Sequence, residues 1–171
     1  MSEYFETFDE HGRPAGLAAR PTVHREGLWH RAVHVWLFRS DGRVYVQRRA
    51  PGKDVSPDCL DVSVGEHLQP GEDFPAAAYR GLSEELGVVD VTPLALGGER
   101  RLTQYRPELG VHDREVQQAF HAVYDGEPDP EPTEITALEL WTMDRLRAAV
   151  AQSPDAFTPG LRADLSDLDL P

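Results

Sequence analysis

Two adjacent glutamates, Glu84 and Glu85, sit near the end of a stretch whose spacing predicts a helix over Phe74 to Leu86. At ~100° per residue, Phe74, Ala78, Leu82 and Leu86 form one apolar stripe, and Glu85 projects inside its edge. A carboxylate in that position is costly unless a cation meets it. Mg²⁺ is suited to the task, because it commonly uses one or two protein carboxylates together with substrate phosphate oxygens. Arg80 stands one turn before Glu84; taken alone, the two also read as a surface pair worth roughly a few tenths of a kcal/mol. Upstream, Arg48, Arg49 and Lys53 offer guanidinium and ammonium groups of the kind that grip phosphate. Neighbours on a strand point to opposite faces, so only one of Arg48 and Arg49 can serve the same site.

The elements that must position these groups follow from turn chemistry and alternation. Asp73 is the expected N-cap of the helix and Gly87 its stop. Before it, Leu60 to Val64 reads as a short strand and Gly65 to Asp73 as a polar loop. Tyr4 to Phe8 and Gly16 to Ala19 form an expected hairpin around Asp9-Glu10-His11-Gly12, with Pro21 closing the unit. A second strand pair, Ala32 to Phe38 and Val44 to Arg48, turns at Ser40-Asp41-Gly42. Ala50 to Cys59 reads as an irregular loop. Further strands are expected near Leu94–Arg100, Glu115–Tyr124 and Ala137–Trp141, with helices at Asp144–Ala151 and Pro159–Leu165. The order implies an α/β sandwich with a mixed sheet.

Composition narrows the partners. The chain has 171 residues, which suits one domain over 1–171 with its core at about 30–152. Seventeen basic against 30 acidic residues leave a net charge of −13, which argues against a nucleic-acid polymer as partner. A small anionic substrate needs a local reversal of that field by basic groups or a metal. The single Cys59 excludes an internal disulfide, and no apolar run approaches the ~20 residues that span a bilayer. The expectation is a cytoplasmic enzyme or binding module without a membrane partner; monomer and homodimer stay equally open.

The segment from Gly65 to Val88 resembles the Nudix box, G-x5-E-x7-R-E-U-x-E-E-x-G-U with U aliphatic. Glu72 is followed at the right spacing by Arg80, Leu82, Glu84, Glu85, Gly87 and Val88. The resemblance implies the Nudix α/β/α sandwich, with an N-terminal hairpin and the box loop-helix. It also implies MutT-like hydrolase chemistry with Mg²⁺ as cofactor, Mn²⁺ being the other candidate. Metal ligands by that resemblance are Glu84, Glu85 and the carbonyl of Gly65, with Arg80 orienting Glu72 and the helix carboxylates. Two positions depart: Glu66 stands at the first box glycine, and Gly81 where a glutamate often binds metal or helps activate water.

The flanks are similar to the isopentenyl diphosphate isomerase branch of the superfamily. The likeness runs through Asp9-Glu10-His11-Gly12, His30, Trp36-Leu37-Phe38, Gln47-Arg48-Arg49, His67, Asp113-Arg114-Glu115-Val116, Glu134, Trp141 and Ala156-Phe157-Thr158-Pro159. It implies that Arg49 and Lys53 contact a diphosphate. It also implies that His30, His67 and Glu115, with Asp113 nearby, form a second metal site, a donor set better suited to Mn²⁺ or Zn²⁺ than to Mg²⁺. His24 is offset by one residue from a ligand position and is left out. The isomerase cysteine falls at Gly65, which cannot transfer a proton.

The expected activity is therefore Mg²⁺-dependent cleavage of a phosphoanhydride in nucleoside di- or triphosphates or related nucleoside diphosphate derivatives. Glu84, Glu85, Glu115 and Arg80 are the catalytic set, Glu115 is the candidate base ahead of Glu66, and Glu115 also counts as a metal ligand. An isomerase of isopentenyl diphosphate and a non-catalytic nucleotide-binding module are the alternatives. Trp36, Tyr105 and Phe120 are candidates to stack on a base, though strand aromatics are more often core.

Overall fold

The computed structural model describes residues 3–170. Strands β1 (Tyr4–Phe8) and β2 (Pro14–Ala19) form the N-terminal hairpin, and helix α1 (Arg20–Glu26) follows directly. Strands β3 (Trp29–Phe38) and β4 (Val44–Arg49) come next, then the short β5 (Leu60–Asp61) and β6 (Val64–His67), and helix α2 (Phe74–Leu86). The long β7 (Leu94–Arg106) and β8 (Val111–Val123) pair antiparallel; β9 (Ile135–Trp141), α3 (Met143–Gln152) and α4 (Pro159–Asp167) complete the order. The mixed sheet and flanking helices match the expected α/β sandwich.

Strand β3 organises the molecule. It runs parallel to β8 from Trp29↔Arg114 to Phe38↔Val123 and antiparallel to β6 from Ala32↔His67 to Val35↔Val64. Alternation along these registers separates two faces. Val33, Val35, Leu37, Val64 and Phe120 pack with Ala78, Leu82 and Leu86 of α2. Full burial of Leu82 and Leu86 contributes roughly 1.5–3 kcal/mol each. On the opposite face, Trp36 and Phe38 join Val44, Leu146, Phe157 and Leu161 beneath α3 and α4. His30, Ala32 and His34 continue that face toward α1.

Helix α2 has the expected bounds. The Asp73 side chain accepts from the Ala76 amide at 2.9 Å, and Gly87 stops the helix at φ 64°. Two expectations change. Pro21 opens α1 at its first turn rather than closing the hairpin, where its fixed φ and missing N–H suit a helix start. Leu60 to Val64 is not one strand: the chain breaks after Asp61 and resumes pairing at Val64, so Gly65, Glu66 and His67 lie in β6 rather than in a loop. Backbone pairing with β3 overrides their turn-like composition.

Candidate active site

A cavity of about 410 Å³ opens beside β6 and is reached by both its faces. One end belongs to histidines. Helix α1 turns His24 inward beside Val23, the β3 row delivers His30, and β6 delivers His67 opposite Ala32. The parallel register sets Glu115 directly beside His30, with Asp113 two residues away on the same face of β8. His24 Nδ1 is 3.0 Å from Asp54 Oδ2, and His30 Nδ1 is 3.0 Å from the Leu28 carbonyl. Their Nε2 atoms are buried without a hydrogen-bond partner, as is Oδ1 of Asp113. His30 Nε2 lies 3.5 Å from Asp113 Oδ1, and His67 Nε2 lies 3.3 Å from Glu115 Oε1. Donor atoms of His24, His30 and His67 fall within 4.8 Å of one another, and so do those of His30, Asp113 and Glu115. His24, left out of the ligand set for its one-residue offset, stands with His30 and His67 because the short α1, not visible in the spacing, brings it alongside.

The electrostatics of this end follow from burial of like groups. Burial, then the charge of His67, holds His30 down to about 3. His67 is also held well below its ordinary range, first by burial and then by Arg20. Asp113 is pushed up to about 8 by burial and by Glu115. Neutral imidazoles are the form that ligates metals. Unsatisfied buried nitrogens and a carboxylate converging at this spacing fit a divalent cation of the Mn²⁺ or Zn²⁺ kind.

The other end belongs to α2 and β6. Glu85 is 7% exposed, with Oε2 3.5 Å from Nε2 of Gln47. Burial pushes its carboxyl up to about 8, the charge of Glu66 adds to this, and Lys53 and Arg49 oppose it. Glu84 is more open and accepts from Arg80 Nη1 at 3.2 Å. Arg80 also donates from Nε and Nη2 to Glu72 at 2.9 Å each, from Nη2 to the His67 carbonyl at 2.7 Å, and pairs with Glu66 at 3.1 Å. It ties the loop, β6 and the helix into one frame.

Gly81 has a steric reason. A Cβ there would lie 2.7 Å from Val64 Cγ1 and 3.2 Å from Glu66 Cβ. Helix and strand are too close for a side chain from residue 81, and the space it would enter holds the stem of Glu66. A carboxylate thus reaches this side of the cavity from β6 instead of from α2.

Between the ends lie the cations. Arg49 faces the cavity, while Arg48 turns away to donate to the Asp58 carbonyl at 2.9 Å. Arg49 donates to Asp61 Oδ2 at 3.2 Å and to the Val55 carbonyl at 3.0 Å. Lys53 is closely paired with Glu134, and burial, then Arg49, lowers its ammonium. Gly65 lies on the wall: a Cβ would meet only Asp61 Oδ2 and His34 Cδ2, both at 3.8 Å. Both neighbours are already hydrogen-bonded to other groups. His34 Nδ1 donates to Asp164 at 2.9 Å and Nε2 accepts from Gln117 at 2.7 Å. Gln117 is oriented by Arg100, which donates to its Oε1. Asp61 accepts from Arg49, from Thr158 Oγ1 at 2.5 Å and from the Val62 amide.

Glu84, Glu85, Glu115, Arg80, Arg49, Lys53 and Gly65 all line this one cavity, with His67 and Asp113. The stacking candidates do not join them: Trp36 and Phe120 are core, and Tyr105 is exposed outside the lining. Sequence reasoning missed Asp54 and Arg20, whose only signal was charge in a loop and beside a proline.

A model of the NUDIX domain matches residues 28–161. An isopentenyl-diphosphate Delta-isomerase of Nocardia farcinica is 34% identical over 165 residues, covering 96% of this chain and 93% of the relative. One of Pectobacterium atrosepticum is 31% identical over 153 residues, covering 88% and 82%. Among solved structures, DR0079 from Deinococcus radiodurans superposes with a TM-score of 0.69 at 26% identity, over 88% of this chain and 90% of that one. The MutT protein of Methanosarcina mazei Go1 shares the fold alone, with a TM-score of 0.62 at 14% identity over 80% and 88%. These curated relatives carry the name held above as the alternative activity. The matched span includes both β6 and α2, and the chain belongs to the NUDIX domain family, in company with relatives named isopentenyl-diphosphate isomerases.

Proposed function

We propose that this protein is a divalent-metal-dependent hydrolase that cleaves a phosphoanhydride in a nucleoside di- or triphosphate or a related nucleoside diphosphate derivative. The observation that carries the reading is the buried Glu85 in a cavity shared with Arg49 and Lys53, where the wall at Gly65 bears no side chain. Glu84, Glu85 and the carbonyl of Gly65 are the ligands for Mg²⁺, with Glu66 supplying the carboxylate that Gly81 lacks. His24, His30, His67, Asp113 and Glu115 are the ligands for a second cation, for which Mn²⁺ or Zn²⁺ is the better match. Such ions supply counter-charge to phosphate oxygens and lower the pKa of water at the site.

The chain's own groups do the rest. Arg49 and Lys53 bind the outer phosphates, and positioning of this kind is most of phosphoryl chemistry. For this Lys53 must exchange Glu134 for the substrate. Arg80 fixes Glu66, Glu72 and Glu84 relative to one another. Glu115, beside His67, accepts the proton of the attacking water. The isomerase reading is favoured by the names of the relatives at 31–34% identity. Moving a double bond, however, requires a proton to be given at one carbon and taken at another. Glu115 offers one such group, and Gly65 offers none across from it.

The test is phosphate release from a panel of nucleoside di- and triphosphates with Mg²⁺, Mn²⁺ or chelator, run beside proton exchange into isopentenyl diphosphate. Metal-dependent release is expected. Exchange without release would establish the isomerase, and neither would leave a binding module.

A further inference from the structure

The loop carrying Lys53 is tied to the histidine centre by a single carboxylate, that of Asp54. Its Oδ2 is 3.0 Å from His24 Nδ1, and Arg20 of α1 donates to Oδ1 at 2.8 Å and to Oδ2 at 3.1 Å. Oδ1 also accepts the Val55 amide at 3.0 Å, and the Val55 carbonyl accepts Arg49 at 3.0 Å. One chain of contacts therefore runs from His24 through Asp54 and Val55 to Arg49, with Lys53 adjacent in sequence. The loop needs such an anchor. It holds Ser56 at φ 48° and Asp58 at φ 60°, both in the left-handed region that L side chains rarely adopt.

His24 presents an unpartnered, buried Nε2 to the centre while its Nδ1 faces Asp54. A carboxylate on the far nitrogen of a metal-binding imidazole fixes the ring and its tautomer and strengthens it as a ligand. We infer that Asp54 is a positioning residue that couples occupation of the histidine centre by a divalent cation to ordering of the phosphate-gripping loop 50–59. The coupling is reciprocal: whatever orders the loop tightens the cation, and the cation orders the loop. The inference rests on the metal-binding reading of the histidine centre and adds to it a connection between the two halves of the substrate site.

The experiment uses Co²⁺ alone as probe, without substrate, on the wild-type protein and on the Asp54→Asn, Arg20→Gln and His30→Ala variants. Co²⁺ affinity is read from its absorption spectrum, and amide hydrogen exchange of residues 50–59 is measured with and without the ion. In the wild type, Co²⁺ is expected to slow exchange across the loop, and His30→Ala to abolish tight binding. Asp54→Asn keeps the shape of the side chain and is expected to weaken Co²⁺ by about 10–100-fold and to remove the ion-induced protection of the loop. Arg20→Gln leaves the Asp54–His24 contact but breaks the ion pair between α1 and the loop and removes the contact of Arg20 Nη1 with His67 Nδ1 at 3.5 Å; it is expected to weaken Co²⁺ several-fold less than Asp54→Asn does. Equal weakening by Asp54→Asn and Arg20→Gln would reduce Asp54 to a packing role and overturn the inference. So would retention of loop protection in Asp54→Asn. A wild-type protein that binds no Co²⁺, or a His30→Ala variant that binds it as well, would instead sink the metal reading underneath.

Discussion

The two ends of the cavity handle buried charge in opposite ways. At the histidine end, Nε2 of His24 and His30 and Oδ1 of Asp113 are buried and unmet. At the α2 end, the carboxylates already have protein partners: Glu66, Glu72 and Glu84 share Arg80, and Glu85 faces Gln47 with Lys53 and Arg49 nearby. An unmet buried polar atom costs about 1–3 kcal/mol, so the first end is unfavourable until a cation arrives. The second is a closed network that must be opened, by substrate and cation together. A resident ion is therefore expected at the histidines, and a weaker, substrate-dependent one at the helix.

The sharpest way to break this comparison is to neutralise the innermost helix carboxylate. Glu85→Gln is expected to lower turnover of the best phosphate substrate by about 10²–10³-fold while leaving Co²⁺ binding at the histidines unchanged. Steady-state kinetics at saturating Mg²⁺ check it. Wild-type turnover would remove Glu85 from the site, and loss of the histidine-bound ion would show that the ends are not separate.

A pH series run with and without the ion tests the histidine end without mutation. Glu85 and Asp113 each have a folded value of about 8, above their ordinary 4.5 and 3.8. The folded, cation-free protein thus binds more protons than the unfolded chain between those limits, and stability falls as pH rises through about 8. His30, held down to about 3, works the other way, because its neutral burial favours folding increasingly up to about pH 6.5 and adds nothing further above it. The window is therefore about pH 6.5 to 8, and there buried His34, raised by Asp164, adds a loss in the same direction. In chelator, Tm is expected to drop by about 5 °C across it, and a bound cation should flatten the drop by meeting Asp113 as an anion. A slope that is the same with and without the ion would refute the unmet state of the histidine end.

What could be read from the sequence divides along the same line. Helix α2 was legible to the residue because its signals are local: an Asp73 cap, a 3.6-residue stripe and Gly87. Strand alternation allowed only one of Arg48 and Arg49 to face the site, and the isomerase resemblance picked Arg49. The histidine end was half legible. His30, His67, Asp113 and Glu115 came from resemblance, and His24 was missed. Helix α1 has seven residues, no side-chain cap at Ala19 and no apolar period to announce it. The placement of Glu66 in a strand also escaped, because Gly65-Glu66-His67 has turn-like composition and only long-range pairing with β3 makes it extended. Gly81 read as a loss; the reason for it is a distance between β6 and α2 that no local pattern encodes.

That distance gives the next test. Gly81→Ala gains about 1 kcal/mol of helix propensity but drives a Cβ into Val64, an overpacking that costs about 1–3 kcal/mol. A net loss of about 1–2 kcal/mol is expected in urea unfolding, together with weaker substrate-dependent Mg²⁺ binding as the Glu66 stem is pushed aside. A stabilised variant with unchanged Mg²⁺ dependence would mean that helix and strand are not in this contact.

The smallest effect is expected at Glu84. Its side chain is 58% exposed and its neighbour Arg80 keeps two other carboxylates, Glu66 and Glu72, when it is lost. An exposed member of a shared network contributes little to the fold, so Glu84→Gln should leave Tm within about 1 °C. As a ligand it stands at the open rim, where a water can take its place. The expected change is a rise of about three- to tenfold in the Mg²⁺ concentration for half-maximal activity, with kcat nearly kept once Mg²⁺ saturates. A Mg²⁺ titration of activity in the two glutamate variants separates the cases. If Glu84→Gln loses kcat as heavily as Glu85→Gln, the rim carboxylate works as an inner one, and the helix must approach the substrate more closely than its exposure implies.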